Sequence, residues 1–218
     1  MEKQQARMQM EGCLKAVIAQ AGYLSGLDTV KDCMKDETLR AFLGHALLDE
    51  IMPVIPLEKD KVSALAMEIC KEMEQPALEE SLLSLCQNGA RAWEQNVLPL
   101  LARYLQQEGV IPRCLSFSLS CLIMYFSGAR KNAEGLFEGL RAGAPYAAQE
   151  DEGVLSAFAR LSPDMPPESL AYAVLSDRDI WETDLRELDG LADAIENQIR
   201  DLQILGLKEA MKRAYGEG

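Results

Sequence analysis

Apolar residues recur in this chain at steps of three and four almost from end to end, and no stretch alternates apolar with polar. A three-and-four rhythm lays apolar side chains along one stripe of a helix, whereas a half-buried strand needs a period of two. Residues 3–24 place Met10, Leu14, Val17, Ile18 and Ala21 on one stripe, and the turn SGLDTV follows with Asp28 as candidate N-cap. In residues 36–56 the stripe is Leu39, Phe42, Leu43, Leu47 and Ile51, with Asp36 as cap and Pro53 and Pro56 as stops. Residues 57–75 point Val62, Leu65, Ile69 and Met73 inward. A further helix is expected to start after Pro76, continue past Gly89 to Gly109 and bend near Pro99.

Residues 111–128, IPRCLSFSLSCLIMYFSG, are apolar or small on nearly every face, which predicts a central buried helix. Its serines, Ser116, Ser118 and Ser120, are expected to bond back to helix carbonyls. The segment is too short and too polar to cross a bilayer. The glycine-rich residues 128–146 read as a loop or irregular excursion. Helical patterns resume in DEGVLSAFARL, PPESLAYAVL and RDIWETDLREL, and a long final helix is expected from about Leu188 to Tyr215. The prediction is an all-α fold with incidental strand at most, in one helical domain over residues 1–218.

A formal net charge of −13 argues against nucleic acid and anionic membrane as partners, because both repel an acidic surface. The six cysteines form no C-x-x-C pair and there is a single histidine, so the clustered ligands of a zinc site are lacking. The cysteines sit among apolar residues and read as small hydrophobes. With no signal segment at the start, reduced thiols point to the cytoplasm. No G-x-G-x-x-G follows a strand pattern, so the chain alone is expected to hold no dinucleotide.

Three blocks, ETLRAFLGHALLDEIMPVIPL, NVLPLLARYLQQEGVIPRCLSFSLSCLIMYFSG and LSDRDIWETDLRELDGLADAIENQI, resemble the C-terminal half of the tagaturonate reductases (altronate oxidoreductases) of the long-chain mannitol dehydrogenase family. The resemblance runs from about residue 12 to about residue 213 and implies a mostly helical substrate-side domain. In the family this domain packs against an N-terminal Rossmann domain that binds NAD, and Met1 falls just before the junction. The expected partner is a separate Rossmann-domain protein or a second copy of the chain.

The resemblance also implies a catalytic signature on the first helix: a lysine, an asparagine five residues on and a histidine three further. Hydride transfer to a ketone leaves an alkoxide, which a lysine of depressed pKa can protonate while the other two donate hydrogen bonds. One register puts Ala6, Glu11 and Leu14 at the three places, and the other puts Arg7, Gly12 and Lys15 there. Neither keeps the triplet. Arg7 does not release a proton near neutral pH, and Lys15 is the other catalytic candidate, against an ordinary role on a solvated helix face. A second family pattern, L-N-S-x-x-K-F-x-x-R-x-L-P, meets LCQNGARAWEQNVLP. There Asn88, Leu98 and Pro99 persist, while Ala92 and Asn96 stand where the cations were. Asn88, Asn96 and the neighbouring Arg91 are the substrate-binding candidates.

His45 reads as a hydrogen-bonded structural residue, and Trp93 and Trp181 as core anchors. Two functional readings result. One is part of an oxidoreductase, not competent alone. The other is a non-catalytic ligand- or partner-binding protein on the same scaffold. The first helix carries Met8, Met10, Leu14 and Val17 on one side, which predicts a self-association surface and a two-fold dimer.

Overall fold

The computed structural model describes residues 2–75 and 79–216. It is mostly helical, and its buried apolar residues form one contiguous cluster. Helix α1 (Lys3–Leu24) and helix α8 (Arg113–Ser127) are the two most deeply set elements and pack on each other. Every residue of α8 from Cys114 to Ile123 is buried, as its unbroken apolar pattern requires. Ser116 and Ser118 bond back to the carbonyls of Arg113 and Leu115, but Ser120 reaches across to Gln198 Oε1 at 2.9 Å.

The predicted stripe of α1 is buried, and this corrects the dimer argument. Met10, Leu14 and Val17 lie inside the chain's own core, whereas Met8 remains 66% exposed. The stripe faces α8 and its neighbours, so it is not available to a second copy.

Short helices wrap this pair: α2 (Val30–Lys35), α3 (Glu37–His45) and α4 (Lys59–Met73), then α5 (Leu82–Cys86), α6 (Gly89–Asn96) and α7 (Leu98–Glu108). Thr29, rather than Asp28, caps α2, while Asp36 caps α3 by accepting from Thr38 N and Leu39 N at 3.1 Å. Beyond His45 the helix widens into a π turn, Ala46–Ile51, and tightens into a 3-10 turn, Met52–Val54, that includes Pro53. The expected start after Pro76 lies outside the described residues; α5 begins at Leu82 under a Ser81 cap. The single long helix to Gly109 is instead three: Asn88 takes a left-handed conformation, φ 51°, between α5 and α6, and α6 gives way to α7 at Val97, at the expected bend near Pro99.

Residues 128–146 are not irregular. Strands β1 (Arg130–Lys131), β2 (Phe137–Arg141) and β3 (Ala144–Ala147) form an antiparallel sheet in that order. Arg141 pairs with Ala144 across Ala142 and Gly143, both at positive φ, the backbone of a two-residue hairpin with matching twist. Gly139 is needed where Tyr146 crosses it, since a Cβ there would lie 2.2 Å from the ring.

The chain closes with α9 (Glu152–Ala159), α10 (Pro167–Ser176), α11 (Leu191–Leu205) and α12 (Leu207–Tyr215). RDIWETDLREL supplies turns and a short 3-10 segment rather than a helix. Gly206, at φ 78° and ψ 168°, divides the expected final helix into two.

Candidate functional site

Two of the three places in one register, Ala6 and Leu14, are 0% and 2% exposed, locked in the core. Arg7, Gly12 and Lys15 lie on the accessible side of α1, between α4 and α6. On that side, however, both cations are engaged. Arg7 pairs with Glu68 and Glu72 of α4, and Lys15 pairs with Glu11 at 3.0 Å and with Glu80 at 3.2 Å. Burial pulls the Lys15 ammonium down, but the hydrogen bonds and charges of Glu11 and Glu80 outweigh it and hold the pKa above that of a free lysine. A general acid at neutral pH needs a shift in the opposite direction.

The α1 and α6 candidates meet at one point. A Cβ on Gly12 would lie 2.5 Å from Oδ1 of Asn96, so the Asn96 side chain fills the space that any larger residue at position 12 would need. The Asn96 amide donates to the carbonyl of Ala92 at 2.8 Å. The other two substrate-binding candidates lie at the opposite end of α6, Asn88 at its N-cap and Arg91 in its first turn. Asn88 N donates to the carbonyl of Gln149, and Arg91 bonds Glu94 at 2.9 Å and Glu182 at 2.8 Å. Asn88 and Arg91 line an open cleft of about 530 Å³, and Asn96 is not part of it.

That cleft is acidic: Glu94, Glu150, Asp151, Asp179 and Glu182 face only Arg91 and Arg178. Sequence reasoning missed these acids because they come from three separate segments. Glu150 has a structural task as well, accepting the N–H of Ala90 at 2.8 Å in the first turn of α6. Burial pushes its carboxyl up, against the pull of that bond. Trp181 closes the floor, edge-on to Trp93 with ring centres 5.7 Å apart, and both indoles are buried core anchors as expected. His45 is hydrogen-bonded to Asp49 at 2.7 Å and stacked on Tyr215.

The strands among the described residues are short and antiparallel, and none feeds a glycine-rich turn into a helix N-terminus. Among them, no group of three or more His, Cys, Asp or Glu converges in a way that could hold a metal ion, and no helix is long and apolar enough to cross a membrane.

The accessible face of α1, crossed by α6, belongs to a helical bundle built on α1 and α8. Comparisons with known proteins give the class of that bundle. Residues 13–203 match the family described as mannitol dehydrogenase C-terminal domain, and the chain belongs to this family. It is 30% identical over 195 residues to the altronate oxidoreductase of Pectobacterium atrosepticum, covering 87% of this chain and 39% of that protein. It is 28% identical to an altronate oxidoreductase of Escherichia coli, covering 38% of that protein. The chain thus spans under two fifths of the curated relatives it matches. The fold matches Pseudomonas fluorescens mannitol 2-dehydrogenase, solved as a ternary complex with NAD and D-mannitol, with a TM-score of 0.80 at 13% identity. That match covers 99% of this chain and 41% of the other. A substrate-free D-sorbitol dehydrogenase matches with a TM-score of 0.73 at 14% identity, over 94% of this chain and 40% of the other.

Proposed function

We propose that this chain is the substrate-side domain of a tagaturonate- or fructuronate-reductase-like oxidoreductase whose catalytic positions now serve structure, so that it is not catalytically competent alone. The observation that carries this is Lys15. It stands at an accessible position of the signature, yet two carboxylates hold it protonated. NAD would belong to a Rossmann domain, elsewhere in the same protein or in a separate partner. The likeness to altronate oxidoreductases supports a place in hexuronate metabolism, and six free cysteines suit the reducing cytoplasm. The second reading, a non-catalytic ligand- or partner-binding protein on the same scaffold, draws on the cleft beside Asn88 and Arg91.

Calorimetry with NADH, and NADH oxidation with tagaturonate or fructuronate, test the proposal. The expected result is neither saturable binding nor turnover by this chain. Turnover that a Lys15→Ala change abolishes would overturn it.

A further inference from the structure

Of the chain's asparagines, Asn88 alone precedes a glycine. Asparagine before glycine is the pair most prone to deamidation, because a glycine nitrogen approaches the side-chain carbonyl with no Cβ in the way. The fold dictates both members of the pair. Position 88 sits at φ 51° and ψ 37°, a left-handed conformation that glycine and asparagine tolerate best. Position 89 has no room for a Cβ, which would lie 2.4 Å from Nε2 of the buried Gln20. We propose that Asn88 is a site of spontaneous deamidation, latched by the left-handed turn and released when that turn opens.

Three observations carry it. The first is that the reacting groups are free. Asn88 is exposed and its side chain makes no capping bond. The Gly89 N–H opens α6, so it has no partner within the helix. Among the described residues no other acceptor meets it, whereas the next N–H, that of Ala90, goes to Glu150. The second is the latch. At ψ 37° the Gly89 nitrogen stands nearly opposite Cβ about the Cα–C bond of Asn88, so a ring closes only after that bond rotates to bring the two to one side. The third is what holds the latch. Asn88 N donates to the carbonyl of Gln149 at 2.8 Å, and Ala90 N to the carboxyl of Glu150 at 2.8 Å. Both acceptors lie in the short link between β3 and α9, so local opening of one link frees the turn.

In the open turn the Gly89 nitrogen, its proton taken by hydroxide, attacks Cγ of Asn88. A C–N bond forms, the ring closes as a succinimide and the side-chain nitrogen leaves as ammonia. Water then opens the ring at Cγ to give aspartate, or at the backbone carbonyl to give isoaspartate. One water enters, one ammonia leaves and no electron moves. Either product adds a carboxylate to a cleft already rich in them, and isoaspartate also lengthens the backbone where α6 begins.

The test holds the full chain at mildly alkaline pH and follows the tryptic peptide ending at Arg91 by mass spectrometry. The native chain should gain the one-dalton increment of an amide turned to acid, about tenfold or more slowly than the chain unfolded in guanidinium chloride. Asn88→Gln should remove the gain. Glu150→Asp, whose carboxyl falls one methylene short of the Ala90 N–H, should speed the native gain severalfold, and Glu150→Ala should speed it further, with circular dichroism confirming that each is folded. Native gain as fast as in guanidinium chloride, native gain that neither Glu150 variant speeds, or no native gain over weeks would each overturn the site.

Discussion

Glu50 is the buried acid that the fold can least afford to lose. Helix α8 begins after Pro112, which gives no side-chain cap, so its first N–H groups need an acceptor from elsewhere. Glu50 supplies it from the π turn, accepting from Cys114 N at 2.7 Å and from Leu115 N at 2.8 Å, at 6% exposure. Glu50→Ala strands both donors, at about 1–3 kcal/mol each. Release from the cost of burying a carboxyl offsets part of that. A net loss of about 2–4 kcal/mol is expected, a fall in melting temperature of roughly 5–15 °C for a chain of this size. Urea unfolding followed by far-ultraviolet circular dichroism measures it, with an unchanged dependence on urea. The sign with pH is fixed as well. Burial pushes the Glu50 carboxyl up more than the N–H bonds of Cys114 and Leu115 pull it down. The folded state therefore holds the proton more tightly than the unfolded state. This contribution is full below the ordinary glutamate range and is lost as pH rises through the raised folded value. The penalty of Glu50→Ala should accordingly shrink from pH 5 to pH 8. A penalty under about 1 kcal/mol by the same rule, or one that grows with pH, would refute the reasoning.

Two further predictions concern the aromatic cluster under the sheet. The Tyr125 hydroxyl is buried without a partner, so Tyr125→Phe should stabilise the chain by about 1 kcal/mol, read as a small rise in melting temperature; a loss of that size would show a bonded hydroxyl. Gly139→Ala should destabilise by about 1–3 kcal/mol in the same melt, because the Tyr146 ring it meets is fixed by its bond to the Tyr125 carbonyl and cannot move aside; a neutral result would show a sheet free to shift.

The helical stripes were legible because burial and period coincide. Leu39, Phe42, Leu43, Leu47, Val62, Leu65 and Ile69 are all inside, as their spacing demands. What escaped has a common physical origin. The π turn at Ala46–Ile51 adds one residue to a helix that otherwise keeps its rhythm, and no residue type marks it. Strands of two, five and four residues are too short to display alternation. Nothing in the sequence marks Glu50 and Glu150 as buried acceptors, since the N–H groups that they satisfy lie 60 or more residues away. Of the candidate site, the residue identities were readable from the family pattern, but the pairing of Arg7 and Lys15 with acids from α4 and the segment before α5 was not.

The sheet read as an irregular excursion is what sets the site's second helix. Strand β3 leads directly into Gln149, whose carbonyl receives the Asn88 N–H at 2.8 Å, and into Glu150, whose carboxyl receives that of Ala90. These two bonds hold Asn88 in its left-handed turn and fix where α6 starts. The sheet is itself pinned to α1, because Arg141 lies over the Tyr23 ring at 4.1 Å and bonds the carbonyl of Leu27 at 2.9 Å. The register of α6 against α1, and with it the fit of Asn96 over Gly12, therefore depends on a sheet that contributes no residue to the cleft itself. A change in the hairpin is expected to reach the α1–α6 face through Gln149 and Glu150, so sequence drift around residues 130–147 carries consequences that its loop-like composition conceals.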